Sequence, residues 1–118
     1  MKWKYPKPKL KYRNQPTMRN GFRFDSITEA DFYSLLCLDP KLLHIDVHPK
    51  VTIGPGIQYT PDFITYTEDE ILVYDVKSPP TAKKYDFKLK KRMFDQTHPF
   101  APLIVVTRNG KHGWKEST

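Results

Sequence analysis

The stretch YTPDFITYTEDEILVYDVKS, residues 59–78, constrains this chain more than any other. Two alternating runs rich in β-formers, about 58–66 and 71–77, flank the acidic tip Glu68-Asp69-Glu70, and this pattern predicts a β-hairpin. With the turn centred between Glu68 and Asp69, Tyr66 faces Ile71, Ile64 faces Val73 and Asp62 faces Asp75. Side chains alternate across a strand, so Asp62, Ile64, Tyr66, Ile71, Val73, Asp75 and Lys77 share one face, and Phe63, Leu72, Tyr74 and Val76 share the other. Both faces are apolar, so the sheet is expected to be covered twice. Asp62 and Asp75 then stand about 5 Å apart. Two carboxylates there destabilise the sheet unless something compensates them. A three- or five-residue loop would shift the register and undo this pairing.

The rest of the chain supplies the cover. Ser26 with Glu29 three residues on is a capping box before an apolar run, and it predicts a helix over about 27–38. Asp39-Pro40 stops that helix. HIDVHPKVTI reads as an extended segment in which Pro49 marks an edge or a bulge. Gly54-Pro55-Gly56 is a turn, and Pro79-Pro80 breaks the chain after the hairpin. A basic helix follows over about 86–97, and APLIVVT has the continuous apolar character of a buried strand. The order is arm, helix, three strands, helix, strand. It predicts an α/β sandwich with a mixed central sheet and a helix on each face.

Charge is unevenly placed. The chain of 118 residues carries a formal net charge of +7. Residues 1–24 hold eight Lys or Arg and no acid, which leaves 20 − 8 = 12 bases against 13 acids beyond them, a net of −1. This segment, with Lys2, Lys4, Lys7, Lys9, Lys11 and Arg13 beside Trp3, Tyr5 and Tyr12, reads as an extended arm. Bases interleaved with stacking rings suit the phosphates and bases of nucleic acid. A solubilising tail is the alternative reading, and RNA binding would rest on the arm alone. Residues 25–118 are expected to form a single domain. No apolar run approaches a membrane span, the N-terminus lacks the apolar core of a signal peptide, and the single Cys37 cannot form an intramolecular disulfide. A cytoplasmic location is expected.

A divalent cation between Asp62 and Asp75 would turn their repulsion into attraction. Mg2+, with Mn2+ as a substitute, binds through one or two carboxylates together with substrate phosphate. Lys77, on the same face and about 7 Å further along the strand, could stabilise charge on a phosphate or serve the attacking water. The alternative is a pair of solvated strand-end acids with Lys77 as salt-bridge partner. On the basic helix, Phe87, Leu89, Met93 and Phe94 define an apolar arc that includes Lys90, which either snorkels or points into a site. Lys88, Lys91 and Arg92 fall on the wet side with Asp95, and Lys83 and Lys84 precede the helix as candidate phosphate contacts. His48 reads as structural.

Pro61-Asp62, twelve intervening residues and Asp75-Val76-Lys77 resemble the PD-(D/E)XK nuclease pattern. SITEADFYSLL, HPKVTI, YTPDFITY, VYDVKS and DFKLKKRMF, over roughly residues 20–107, are similar to small phage-encoded proteins that look like Holliday-junction resolvases. The resemblance implies a restriction-endonuclease-like sandwich and a Mg2+-dependent, structure-selective endonuclease. It further implies a branched-DNA substrate, frequent homodimers, a role in phage DNA recombination and, with it, the bacterial host's cytoplasm. Asp62 and Asp75 match the metal-binding acids and Lys77 the catalytic lysine. Glu29 matches the acid of the first helix, or serves only as a cap, and Lys90 matches the basic residue of the second helix. Ser78 departs from the pattern, because relatives commonly have glycine there. A non-selective or nicking endonuclease, or a catalytically idle DNA-binding module of the same fold, are the alternatives.

Overall fold

The computed structural model describes residues 16–111 and 113–118. The chain begins there with a two-stranded hairpin, β1 (Thr17–Arg19) and β2 (Phe22–Phe24). Its turn is Asn20-Gly21, with φ of 51° and 83°. Such a pair of left-handed residues matches the twist of a tight hairpin, and Asn-Gly adopts it at little cost. The segment expected as an extended arm over residues 1–24 is therefore strand from 17 onward, and Phe24 is wholly buried. The arm bases Lys2 to Arg13 lie outside the described residues.

Helix α1 (Ile27–Leu36) starts where the capping box placed it: the Ser26 hydroxyl accepts the Glu29 N–H at 3.1 Å. Cys37 caps its end, slightly before the expected residue 38. Strands β3 (His44–Val47), β4 (Val51–Gly54), β5 (Ile57–Tyr59), β6 (Phe63–Tyr66) and β7 (Ile71–Val76) follow. A helical turn, α2 (Pro79–Ala82), leads into α3 (Tyr85–Thr97), and β8 (Leu103–Asn109) and β9 (Gly113–Ser117) close the fold.

The central sheet has five strands in the order β3-β6-β7-β8-β9. All neighbours are antiparallel except β7 and β8, which run parallel and are joined through α3, as a parallel pair requires a crossover. The β6–β7 hairpin has the register read from the sequence, with Tyr66 opposite Ile71 and Ile64 opposite Val73. Its two faces separate as expected. Phe63 and Tyr74 pack against Phe24, Ala30, Phe32, Tyr33 and Val106 beneath α1. Val73, Leu103 and Val105 pack against Phe87 and Phe94 of α3 and against Ile53 and Tyr59 of the β4–β5 hairpin. This is a restriction-endonuclease-like α/β sandwich, a mixed central sheet with a helix on each face. Among the described residues no helix is long and apolar enough to cross a membrane.

One expected strand is two. Alternation continues over residues 58–66, but β5 pairs with β4 in a separate small sheet, and β6 joins the central sheet. Thr60-Pro61-Asp62 makes the change of sheet, because Pro61 has no N–H to give a ladder. The ladder ends at Phe63 opposite Tyr74, and Asp62 donates its N–H to the Tyr74 carbonyl at 3.1 Å. Asp62 therefore stands beside the ladder rather than paired across it with Asp75.

Phe24 carries the N-terminal hairpin into the core. Phe24→Ala should cost about 3–5 kcal/mol of unfolding free energy in urea titration, whereas Met18→Ala, on an exposed side chain, should stay within about 0.5 kcal/mol. A Phe24→Ala effect as small as the Met18 one would place the hairpin outside the cooperative unit.

Candidate metal centre

Asp62 is positioned by what Pro61 removes. Beyond the start of β6 no backbone acceptor faces the Val76 N–H, and the Asp62 carboxylate takes its place at 2.7 Å. The carbonyl of Asp62 accepts the N–H of His48 at 2.9 Å, which brings the end of β3 to the same spot. His48 has φ of 54°, in the left-handed region that histidine tolerates better than most side chains. Its Nε2 lies 2.5 Å from Oε1 of Glu29, in the first turn of α1. Ligand atoms of Glu29, His48 and Asp62 all fall within 4.8 Å of one another. The cap and the site use different atoms of Glu29: its backbone N–H completes the helix start, while its buried carboxylate meets His48.

Asp75 and Lys77 flank Val76 on the α3 side. Asp75 is wholly buried, and among the described residues neither of its oxygens has a hydrogen-bond partner. The Lys77 ammonium stands 3.3 Å from Asp75 Oδ1, an ion-pair distance without hydrogen-bond alignment, and 5.2 Å from the centroid of the Phe87 ring. A cavity of about 370 Å³ opens in front, lined among others by Ser26, Glu29, Asp62, Lys77, Ser78 and Arg108. A second cleft of about 230 Å³ adjoins it through Lys77 and Thr81 and is lined by Tyr59, Lys84, Phe87 and Lys90.

Electrostatics follow from this crowding. Burial, and then the Glu29 charge, push the Asp62 carboxyl up to about 7, against the Val76 N–H, Lys77 and His48. Burial also raises Asp75, to about 6; Lys77 opposes the rise and Glu29 adds to it. Each net rise disfavours the carboxylate form in the absence of a cation. Two carboxylates and an imidazole within 4.8 Å of one another, with Asp75 close enough to feel the Glu29 charge, are a fitting donor set for a divalent ion such as Mg2+. Glu29, His48 and Asp62, with Asp75 adjoining, are the residues that could hold it.

Of the residues singled out by sequence, Glu29, Asp62 and Lys77 line this cavity, and Asp75, outside its lining, is paired with Lys77. Lys90 is exposed on α3 and lines the second cleft beside Lys77. Lys83, Lys84 and Lys88 are exposed near the start of α3. Lys91 is turned to Asp95 at 2.5 Å, and Asp95 also accepts the Leu103 N–H at 2.8 Å, so this pair fastens α3 to β8 instead of facing solvent. His48, read as structural, belongs to the cluster. Its only local signal is its place at a strand end before Pro49, where a left-handed residue was not anticipated. The chain matches no protein-family model, no curated protein and no solved structure.

Both raised carboxyls lie above the ordinary value of 3.8, so the folded protein holds more protons than the unfolded chain between about pH 4 and 7. Their contribution to stability is present in full below that window and is lost as pH rises through the folded values. For Asp75 the loss is on the order of 3 kcal/mol. Urea unfolding of EDTA-treated protein should show wild type losing stability relative to Asp75→Asn as pH goes from 4.5 to 7.5, and a divalent cation should restore it. Parallel pH profiles for the two proteins would mean that Asp75 is not a buried, ion-requiring acid.

Proposed function

We propose that this chain is a metal-dependent endonuclease that hydrolyses phosphodiester bonds in DNA, with branched DNA as its preferred substrate. The carrying observation is Asp75: a wholly buried carboxylate without hydrogen bonds, beside Lys77 and within the field of Glu29. A purely structural core would be more stable with an apolar residue there. Glu29, Asp62 and Asp75 would hold a divalent cation of the Mg2+ and Mn2+ class. Such an ion supplies positive charge to the oxygens of the phosphate under attack. Lys77 reaches the cavity from the neighbouring strand position and adds a second, fixed positive charge for the transition state. Arg108, which lines the same cavity, would help orient the phosphate.

Lys84 and Lys90 line the adjoining cleft, and with the exposed Lys83 and Lys88 they would offer a basic margin along which the DNA backbone runs. Lys91, bound to Asp95, contributes less. The bases Lys2, Lys4, Lys7, Lys9, Lys11 and Arg13 would add phosphate affinity without sequence choice. Residues 25–118, with the 17–24 hairpin packed onto them through Phe24, act in this reading as one catalytic domain. Two symmetric nicks in a junction would require a homodimer.

The test is cleavage of a labelled four-way junction beside a linear duplex of the same sequence, in Mg2+, Mn2+ and EDTA. Wild type should cut the junction only with metal, and Asp75→Asn should lose roughly 100-fold or more in rate, the scale of removing one preorganised charge-stabilising group. Equal cutting of both substrates would make it a non-selective endonuclease. Tight binding without cutting in any lane would make it a DNA-binding module of the same fold.

Removing residues 1–15 deletes six bases. The log–log dependence of DNA affinity on salt, measured with Asp75→Asn, should then become shallower by up to about 5. An unchanged slope would reduce the segment to a solubilising tail.

A further inference from the structure

We infer that the centre selects Mn2+ over Mg2+, with the imidazole of His48 as the nitrogen ligand that discriminates between them. The inference rests on the metal-dependent reading above and concerns which ion that site takes.

A site of carboxylates alone has little means of telling the two ions apart, since both accept six oxygens in octahedral geometry. An imidazole nitrogen changes this. Mg2+ is a hard ion that prefers oxygen, whereas first-row transition ions accept nitrogen readily. His48 is the nitrogen donor within the Glu29–His48–Asp62 group.

The ring is held in place rather than free to swing aside. The backbone N–H of His48 is bonded to Asp62, its backbone is in the left-handed region, and its ring meets the buried Phe24 edge-on at a centroid distance of 5.8 Å. With these constraints Nε2 faces Glu29. The side chain nonetheless keeps 35% of its surface exposed, enough for an ion and its waters to approach.

The spacing fits a shared ion with small adjustments. Ligands about 2.1 Å from one octahedral ion stand about 3 Å apart when adjacent and about 4.2 Å apart when opposite. The 2.5 Å between His48 and Glu29 must open by about half an ångström, and every separation in the group lies within 4.8 Å, near the span of two opposite ligands. Beside this group, Asp75 is a wholly buried carboxylate whose partner among the described residues is the Lys77 ammonium at 3.3 Å, on the strand whose Val76 N–H holds Asp62.

Softer ions fit less well. Zn2+ favours four-coordinate sites rich in Cys and His. Two carboxylates to one imidazole, completed by the waters an octahedral ion keeps, is an oxygen-dominated shell that leaves room for phosphate oxygens. Mn2+ meets both conditions, accepting the nitrogen while retaining the octahedral, oxygen-rich shell.

The experiment uses the full chain stripped with EDTA and titrated calorimetrically with MnCl2 and, separately, MgCl2. Wild type should bind Mn2+ more tightly than Mg2+. His48→Gln should lose roughly 10- to 100-fold in Mn2+ affinity, the scale of perturbing a metal shell, while Mg2+ affinity changes little. Pulsed electron paramagnetic resonance of wild type with substoichiometric Mn2+ should show nitrogen modulation that switches from the ¹⁴N to the ¹⁵N pattern when histidine alone is labelled. That measurement needs no variant, so it stands even if His48→Gln does not fold. Mn2+ bound without nitrogen modulation, or with equal affinity to Mg2+, would overturn the selection by His48 and leave the metal-dependent reading intact. Absence of binding by either ion would remove both.

Discussion

The hydrogen bond from the Val76 N–H to the Asp62 carboxylate is the contact on which the site depends. Pro61 ends one strand pairing and sends the chain into another sheet, which leaves a backbone donor of the central strand without a carbonyl opposite. A buried donor without an acceptor is costly. The chain resolves this with a side chain, and a charged acceptor makes the stronger bond. The same bond fixes Asp62 against the residue that lies between Asp75 and Lys77, so the break in the sheet and the assembly of the site are one event. The carbonyl of Asp62 then recruits His48, and His48 recruits Glu29. From one break in β-pairing, four elements are brought to a single point.

Much of the frame was legible in the sequence, and the reason is the double-faced apolar pattern. When both faces of a hairpin are buried, a slip by one residue exchanges one packed face for the other, so the register of β6 and β7 was strongly specified. The capping box fixed the start of α1 for an equally local reason. Periodicity could not show that residues 58–66 change sheets midway, because alternation runs on through Thr60 and Pro61; Pro61 was the signal. The Asn20-Gly21 turn was also present, but the surrounding lysines and prolines favoured an arm, and local turn chemistry prevailed from Thr17 onward. At α3 a uniform helical wheel set Leu89 in the apolar arc, yet Leu89 is 41% exposed, because the hairpin and sheet cover only the Phe87–Phe94 line.

Asp62, Asp75 and Lys77 were singled out by their strand spacing, although Asp62 stands beside the ladder and not opposite Asp75, and Glu29 by its likeness to a first-helix acid. His48 was not, since spacing along a chain carries no information about which strand ends meet. It lies 19 residues from Glu29, and its contact with the Asp62 carbonyl exists only once β3 pairs with β6. Lys91 shows the converse: a charge that looked solvated by wheel geometry is occupied by a neighbour that also caps β8.

Holding Glu29 against two destabilised carboxylates requires α1 to resist being pushed away. Asp31, two residues on, lies between Arg19 of β1 at 2.8 Å and Arg108 of β8 at 2.7 Å, and Arg108 stacks over the Trp114 ring of β9 at 4.7 Å. Burial alone would raise Asp31, but the two guanidinium groups outweigh it and hold the carboxyl below its ordinary range. The clamp therefore stays ionised across the pH range in which Asp62 and Asp75 change state. Partly exposed ion pairs contribute little stability singly; here their effect is positional, because one carboxylate ties α1 to both the N-terminal hairpin and the far side of the sheet. Arg108 also lines the cavity, so the residue that steadies the helix bearing Glu29 shares a wall with the space a phosphate would enter. The helix that presents Glu29 is thus fastened by charges that lie outside the centre itself.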